Sequence, residues 1–154
     1  MKISRILATA LAAIAVASQA AANHPYDEQA NPRADIRKAL DAAGKAHVPV
    51  LVVFGANWCS DCRMLDATMK HGPSAPLIAH DFKVVKVDVG RFDRNVDVAE
   101  SYQVPLKQGI PAVAVLSPEG QVLYATRAGE LADARKMGDD GVYAFFRDVV
   151  AKRQ

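Results

Sequence analysis

Cysteine is scarce in this chain. Cys59 and Cys62 are its whole supply among 154 residues. A zinc site usually wants four ligands, and no second cysteine pair is present to complete one. His24, His47, His71 and His80 are scattered without ligand spacing. Charge of one sign is lacking too: 19 Lys and Arg stand against 17 Asp and Glu. That balance gives no electrostatic case for nucleic acid or an anionic membrane surface as partner. No apolar run approaches the roughly 20 residues of a membrane span. There is no internal repeat, and no linker that would divide the chain after its first residues.

Those first residues carry a targeting pattern. Lys2 and Arg5 form a positive start, and Ile6 to Ala17 is apolar and Ala-rich. Ser18-Gln19-Ala20 and Ala20-Ala21-Ala22 both fit small-residue cleavage. The expectation is a signal peptide over 1–22, cut after Ala20 or Ala22, and export to a bacterial periplasm. Left uncut, the segment would be a weak anchor. Removing 1–22 takes away Lys2 and Arg5 and no acidic residue, leaving 17 charges of each sign. The remainder is long enough for one core.

Export implies an oxidising compartment. A lone close cysteine pair is a poor staple there, because it closes a tiny loop and constrains little of the unfolded chain. Chemistry is the better account. Trp58-Cys59-Ser60-Asp61-Cys62 follows the apolar run Val48 to Phe54. A Cys-X-X-Cys where a buried strand turns into a helix is a redox arrangement. The first thiol would meet free backbone N–H groups and the positive end of the helix dipole, which favour a thiolate. The second, one turn on, lies close enough to close a disulfide ring.

The rest of the chain reads as alternating elements. Asn23 to Ala30 is polar and reads as a flexible leader, followed by a domain over 31–154. Asn31-Pro32 fits an N-cap with Pro at the first helical position. Ile36, Leu40 and Ala43 follow at helical spacing, and Gly44 would end or loosen that helix. Val48 to Phe54 fits a strand buried on both faces. A helix after the cysteines ends near His71-Gly72-Pro73, and Pro76 to His80 adds a turn. Lys83 to Val89 is a strand, Gly90 to Asn95 a loop, and Val96 to Tyr102 a short helix. Ala112 to Leu116 and Val122 to Thr126 flank the turn Ser117-Pro118-Glu119-Gly120. Val142, Phe145, Phe146, Val149 and Val150 mark an amphipathic helix, with Asp139 or Asp140 as N-cap. The order suits an α/β domain with a mixed sheet covered by helices on both faces.

Three segments together resemble the thioredoxin superfamily: Phe54 to Arg63 around the cysteines, the strand end Val87-Asp88, and Gly109-Ile110-Pro111-Ala112 before a hairpin. The resemblance covers most of Ala34 to Ala151. It implies a thioredoxin fold, with the CxxC at a helix N-terminus and a cis-Pro loop. It implies that Cys59 is the nucleophile and Cys62 the resolving thiol. It implies that Pro111 is cis and lies against the disulfide, where it and Ile110 would meet an extended substrate. It favours Trp58 as part of the substrate-contacting rim over a packing residue.

Departures from the family stand beside these likenesses. The buried Asp that thioredoxins carry in the strand before the motif is Val53 here, and its proton-shuttling role has no obvious heir. Ser60-Asp61 replaces Gly-Pro. The stretch from Tyr102 to Gly109 looks longer and would select partners. Asp61 admits two readings: a solvated carboxylate favourable to the helix dipole, or a charge near the sulfurs that tunes the thiol pKa upward. Arg63 could stabilise a thiolate or be a solvated helix residue.

The function expected is thiol–disulfide exchange on exported proteins without metal or organic cofactor. Reduction is the expected direction, with a membrane thiol relay as electron donor. Oxidase or isomerase action and a non-enzymatic thiol-based metal carrier are the alternatives. The sequence does not speak to oligomeric state.

Overall fold

The structure, a computed structural model, describes residues 24–152. The targeting segment expected over 1–22 lies outside the described residues.

Helix α1 (Pro32–Ala46) starts where the Asn31 side chain accepts the Ala34 N–H at 3.1 Å, with Pro32 in the first turn. Its apolar stripe buries Ile36 and Ala43. The expectation that Gly44 ends or loosens this helix is corrected. The left-handed residue that stops it is His47, at φ 55°, whose N–H returns to the Ala43 carbonyl.

Strand β1 (Val50–Gly55) is buried at every position. It pairs in parallel with β2 (Lys83–Asp88) and antiparallel with β3 (Ala112–Leu116). β3 in turn pairs antiparallel with β4 (Val122–Ala125), giving the order β2-β1-β3-β4. A strand in the interior of the sheet with both faces covered needs apolar residues on both, so β1 shows a continuous run and no alternation. Between β3 and β4, Ser117 Oγ accepts the Glu119 and Gln121 N–H groups, and Gly120 takes φ 85°.

Period two splits β1 between two cores. Val50, Val52 and Phe54 pack with Ile36 and Ala43 of α1 and with both cysteines. Leu51 and Val53 pack on the other side against helices α2 (Ser60–His71), α3 (Ser74–Asp81) and α5 (Ala134–Lys152), through Leu65, Ile78 and Phe146. Helix α4 (Val96–Ser101) and a 3-10 turn (Leu106–Gln108) complete the first layer. The architecture is a four-stranded mixed sheet between helices, as expected.

Two local expectations are corrected. α5 is broken at Gly138, whose φ of 65° and ψ of −178° are not helical. Asp139 just beyond the break, expected with Asp140 to cap this helix, accepts the Thr68 hydroxyl of α2 at 2.8 Å. The flexible leader is corrected over the part described. Tyr26 is buried, its N–H donates to Asn57 Oδ1 at 3.0 Å, and its carbonyl accepts from Asn57 Nδ2 at 2.8 Å.

Candidate active site

The cysteines sit where β1 hands over to α2, and they are joined as a disulfide with Cα atoms 5.2 Å apart. Cys59 is the N-cap of α2, in extended backbone, and its sulfur accepts the Cys62 N–H at 3.1 Å. A sulfur therefore holds the place that a Ser or Asp oxygen usually holds at a helix start. Once reduced, a thiolate there keeps that hydrogen bond and faces the positive end of a helix of 12 residues. The two residues differ slightly in access: Cys59 is 6% exposed and Cys62 is wholly buried.

Ile110 comes against Cys59 from the segment just before β3. The Ile110–Pro111 peptide is cis, and the Ile110 carbonyl oxygen lies 3.7 Å from Cys59 Sγ. The segment expected to select partners, Tyr102 to Gly109, is not a free loop. Val104 and Leu106 are buried in the first core. With Phe92 and Val96 they line a groove of about 720 Å³ that carries Glu100 and Lys107.

Trp58 is 46% exposed, so it lies at the surface rather than in the core. Its indole N–H donates to the Gly90 carbonyl at 2.7 Å, and Phe92 meets its ring edge-to-face at a centroid distance of 6.1 Å. The Arg91 guanidinium stands 5.6 Å from the same ring, within cation–π range. Phe92 was not singled out in the sequence, because a lone aromatic in a polar loop gives no periodic signal.

Asp61 turns toward α5. Its Oδ1 accepts the Arg135 backbone N–H at 2.9 Å and lies 3.3 Å from Arg135 Nε. Burial acts to raise its pKa, but the hydrogen bonds and charge of Arg135 outweigh that and hold the carboxyl below the ordinary range. Arg63 does not reach for the sulfurs. It donates to the Asn57 carbonyl at 3.0 Å and braces the loop before the motif. Among the described residues, no cluster of three or more His, Cys, Asp or Glu side chains is placed to hold a metal ion.

A model of thioredoxin-like domains matches residues 31–118, more than half of the chain. The chain belongs to the thioredoxin-like family. It is similar to thioredoxin 1 of Chlorobaculum tepidum, 37% identical over 90 residues, spanning 56% of this chain and 76% of that one. Thioredoxin of Pseudomonas aeruginosa is 34% identical over 95 residues, spanning 59% and 75%. Among solved structures, a disulphide isomerase from Xylella fastidiosa is 50% identical and superposes with a TM-score of 0.77. That alignment covers 81% of this chain and 95% of the other.

Family and geometry together make this thioredoxin-like protein a thiol–disulfide oxidoreductase, a class that acts on protein disulfides. Of the residues expected at the site, Cys59, Cys62 and Ile110 meet at the disulfide, Pro111 follows Ile110 through the cis bond, Trp58 precedes Cys59, and Asp61 is turned to Arg135. Asn57 and Tyr26 went unnoticed in the sequence. Their pairing spans 31 positions, and no local pattern announces it.

Proposed function

We propose that Cys59 is the nucleophile and Cys62 the resolving thiol of a disulfide reductase acting on exported proteins. The observation that carries the assignment is the N-cap geometry, in which Cys59 Sγ accepts the Cys62 N–H at the helix start while Cys62 is wholly buried. Cys59 thiolate attacks a substrate disulfide and forms a mixed disulfide, releasing one substrate thiolate. Cys62 then attacks Cys59, releases the second, and closes the Cys59–Cys62 bond. Trp58, Ile110 and Pro111 form the surface on which the substrate strand lies.

Likeness to thioredoxins supports the reductive direction. The Asp61 carboxylate lends it little, because Arg135 neutralises that charge. The signal-like start supports a periplasmic setting. With no thiol buffer there, a membrane thiol relay is the electron donor this function requires. An isomerase is the second reading, favoured by the Xylella protein of that name.

Equilibrating the protein against a glutathione series, with thiols trapped by alkylation, tests the direction. A midpoint more negative than glutathione supports the reductase, and one well above it moves the function to isomerase or oxidase. Intact mass of the exported protein tests the setting: a mature N-terminus at Ala21 or Asn23 is expected, and retention of Met1 in the membrane pellet contradicts it.

A further inference from the structure

Behind the disulfide lies a buried hydroxyl that the exchange steps above do not use. Tyr26 is 2% exposed and sits in the same core as Cys59 and Cys62. Its ring closes over the bare Cα of Gly55. A Cβ at Gly55 would collide with the Tyr26 hydroxyl and stand 3.0 Å from Cys62 Sγ. Hydroxyl and sulfur thus border the space a side chain would fill, near enough for one bridging water, with no direct hydrogen bond between them while the disulfide is closed. The ring is held there by the Asn57 side chain, which bonds both backbone polar groups of Tyr26.

We propose that the Tyr26 hydroxyl is the hydrogen-bond donor that supports the Cys62 thiolate during resolution of the mixed disulfide. This rests on the assignment of Cys62 as the resolving thiol. To attack, Cys62 must first lose its proton in a wholly buried place, where an unsupported charge is costly. The Cys62–Cys59 bond then forms and the bond from Cys59 to the substrate breaks. The electron pair leaves on the substrate sulfur, which takes up a proton equivalent to the one Cys62 gave up. A neutral donor beside Cys62 lowers the cost of the intervening thiolate.

Tyr26 is suited to donate and not to accept. Burial first, and the Asp88 charge second, push its pKa far above the ordinary tyrosine value, so it stays protonated at working pH. The other charged groups around this point are Asp88 on β2 with Arg94 and Glu28 beside it, and on α2 Arg63, Asp61 with its partner Arg135 of α5, and Asp66, one turn beyond Cys62, with its partner Lys86 of β2. The first core contributes only apolar side chains from β1 and β3. All of these stay in place in Tyr26→Phe, which removes the hydroxyl alone.

The test mixes the reduced full-length protein with a small aromatic disulfide that liberates a coloured thiolate. The first release reports attack by Cys59. The second, independent of reagent concentration, reports ring closure by Cys62. In Tyr26→Phe the second release should slow about tenfold and its pH midpoint rise by about one unit, with the first release unmoved. An unchanged second release overturns the role of Tyr26. Equal slowing of both overturns it in favour of a packing role. A wild-type protein with no second release overturns the assignment of Cys62 itself. Should Tyr26→Phe fold poorly, the labelled Cζ resonance of Tyr26 in wild type decides. It should move as reduced Cys62 titrates, and a resonance that stays fixed overturns the proposal.

Discussion

Arg135 reaches Asp61 across 74 positions of the chain, through a backbone N–H at 2.9 Å and a guanidinium nitrogen at 3.3 Å. The first turn of the active-site helix is thereby fastened to the start of α5. The same contact takes up the acidic charge nearest the cysteines in sequence. An electrostatic role for Asp61 at the sulfurs, open in the sequence, has a cation set against it.

Asp61→Asn should therefore shift the Cys59 thiolate midpoint by less than about half a pH unit, measured by thiolate absorbance. Stability should change instead. The Arg135 side chain is 63% exposed, so the loss at neutral pH should be about 0.5 kcal/mol in denaturant unfolding. Its pH dependence has a definite sign. The folded carboxyl ionises more readily than the unfolded one. The stabilisation is complete above the ordinary carboxylate pKa and is lost as pH falls through the folded value. Wild type and variant should converge in acid. A gap that widens there contradicts the pairing.

Cys59→Ser should abolish exchange, since no other attacking thiol exists in the chain. Cys62→Ser should still attack and accumulate mixed disulfides with protein substrates. In the reduced wild type, alkylation should be faster at Cys59, the N-cap residue with 6% exposure, than at the wholly buried Cys62. Mass spectrometry of trapped adducts checks all three. Adducts that accumulate equally on both single variants would remove the assignment.

Asn57→Ala should release the segment around Tyr26. Three side-chain hydrogen bonds vanish at a residue only 8% exposed, one to Glu28 and two that leave buried backbone groups of Tyr26 without partners. The expected cost is about 1–3 kcal/mol. Hydrogen exchange should rise over residues 24–30 before it rises in the sheet. Protection that stays at wild-type level would show that Asn57 is not the clamp.

The frame of the molecule was legible because its signals are local. The unbroken apolar run ending at Phe54 announced an interior strand. Asn31-Pro32 announced a helix start, and Ser117 to Gly120 a hairpin turn. Cys59 and Cys62 declared the chemistry through their spacing at the end of a buried strand, and the family resemblance implied their roles. Partnerships between distant segments were not legible. Tyr26 lies in a polar stretch with no periodicity, and only Asn57 folded beside it explains its burial. Asp61 carries the same letters whether it faces a sulfur or Arg135. Gly138 breaks α5 by a backbone conformation that Gly permits but does not compel. Tyr102 to Gly109 looked longer than the family's pattern, and the burial of Val104 and Leu106 that makes it part of the core was not marked in it.

Phe92 offers the clearest separation of stability from recognition. It is 44% exposed and holds φ at 64°, a strained conformation for a bulky residue, beside the exposed tryptophan. Its ring also forms one wall of the groove that runs along Val96, Val104 and Leu106. Phe92→Gly relieves the backbone strain while adding chain entropy to the unfolded state. The two effects oppose each other, and stability should stay within about 1 kcal/mol of wild type. The exposed aromatic surface is lost outright. If a protein substrate lays an apolar side chain against that ring, its reduction should slow roughly fivefold. Reaction with a small disulfide, which needs only Cys59 and Cys62, should hold its rate. Paired kinetics on an oxidised protein and on a small disulfide decide the matter. Equal loss on both would place Phe92 in support of Trp58 and the active-site loop, and no loss on either would remove it from the binding surface.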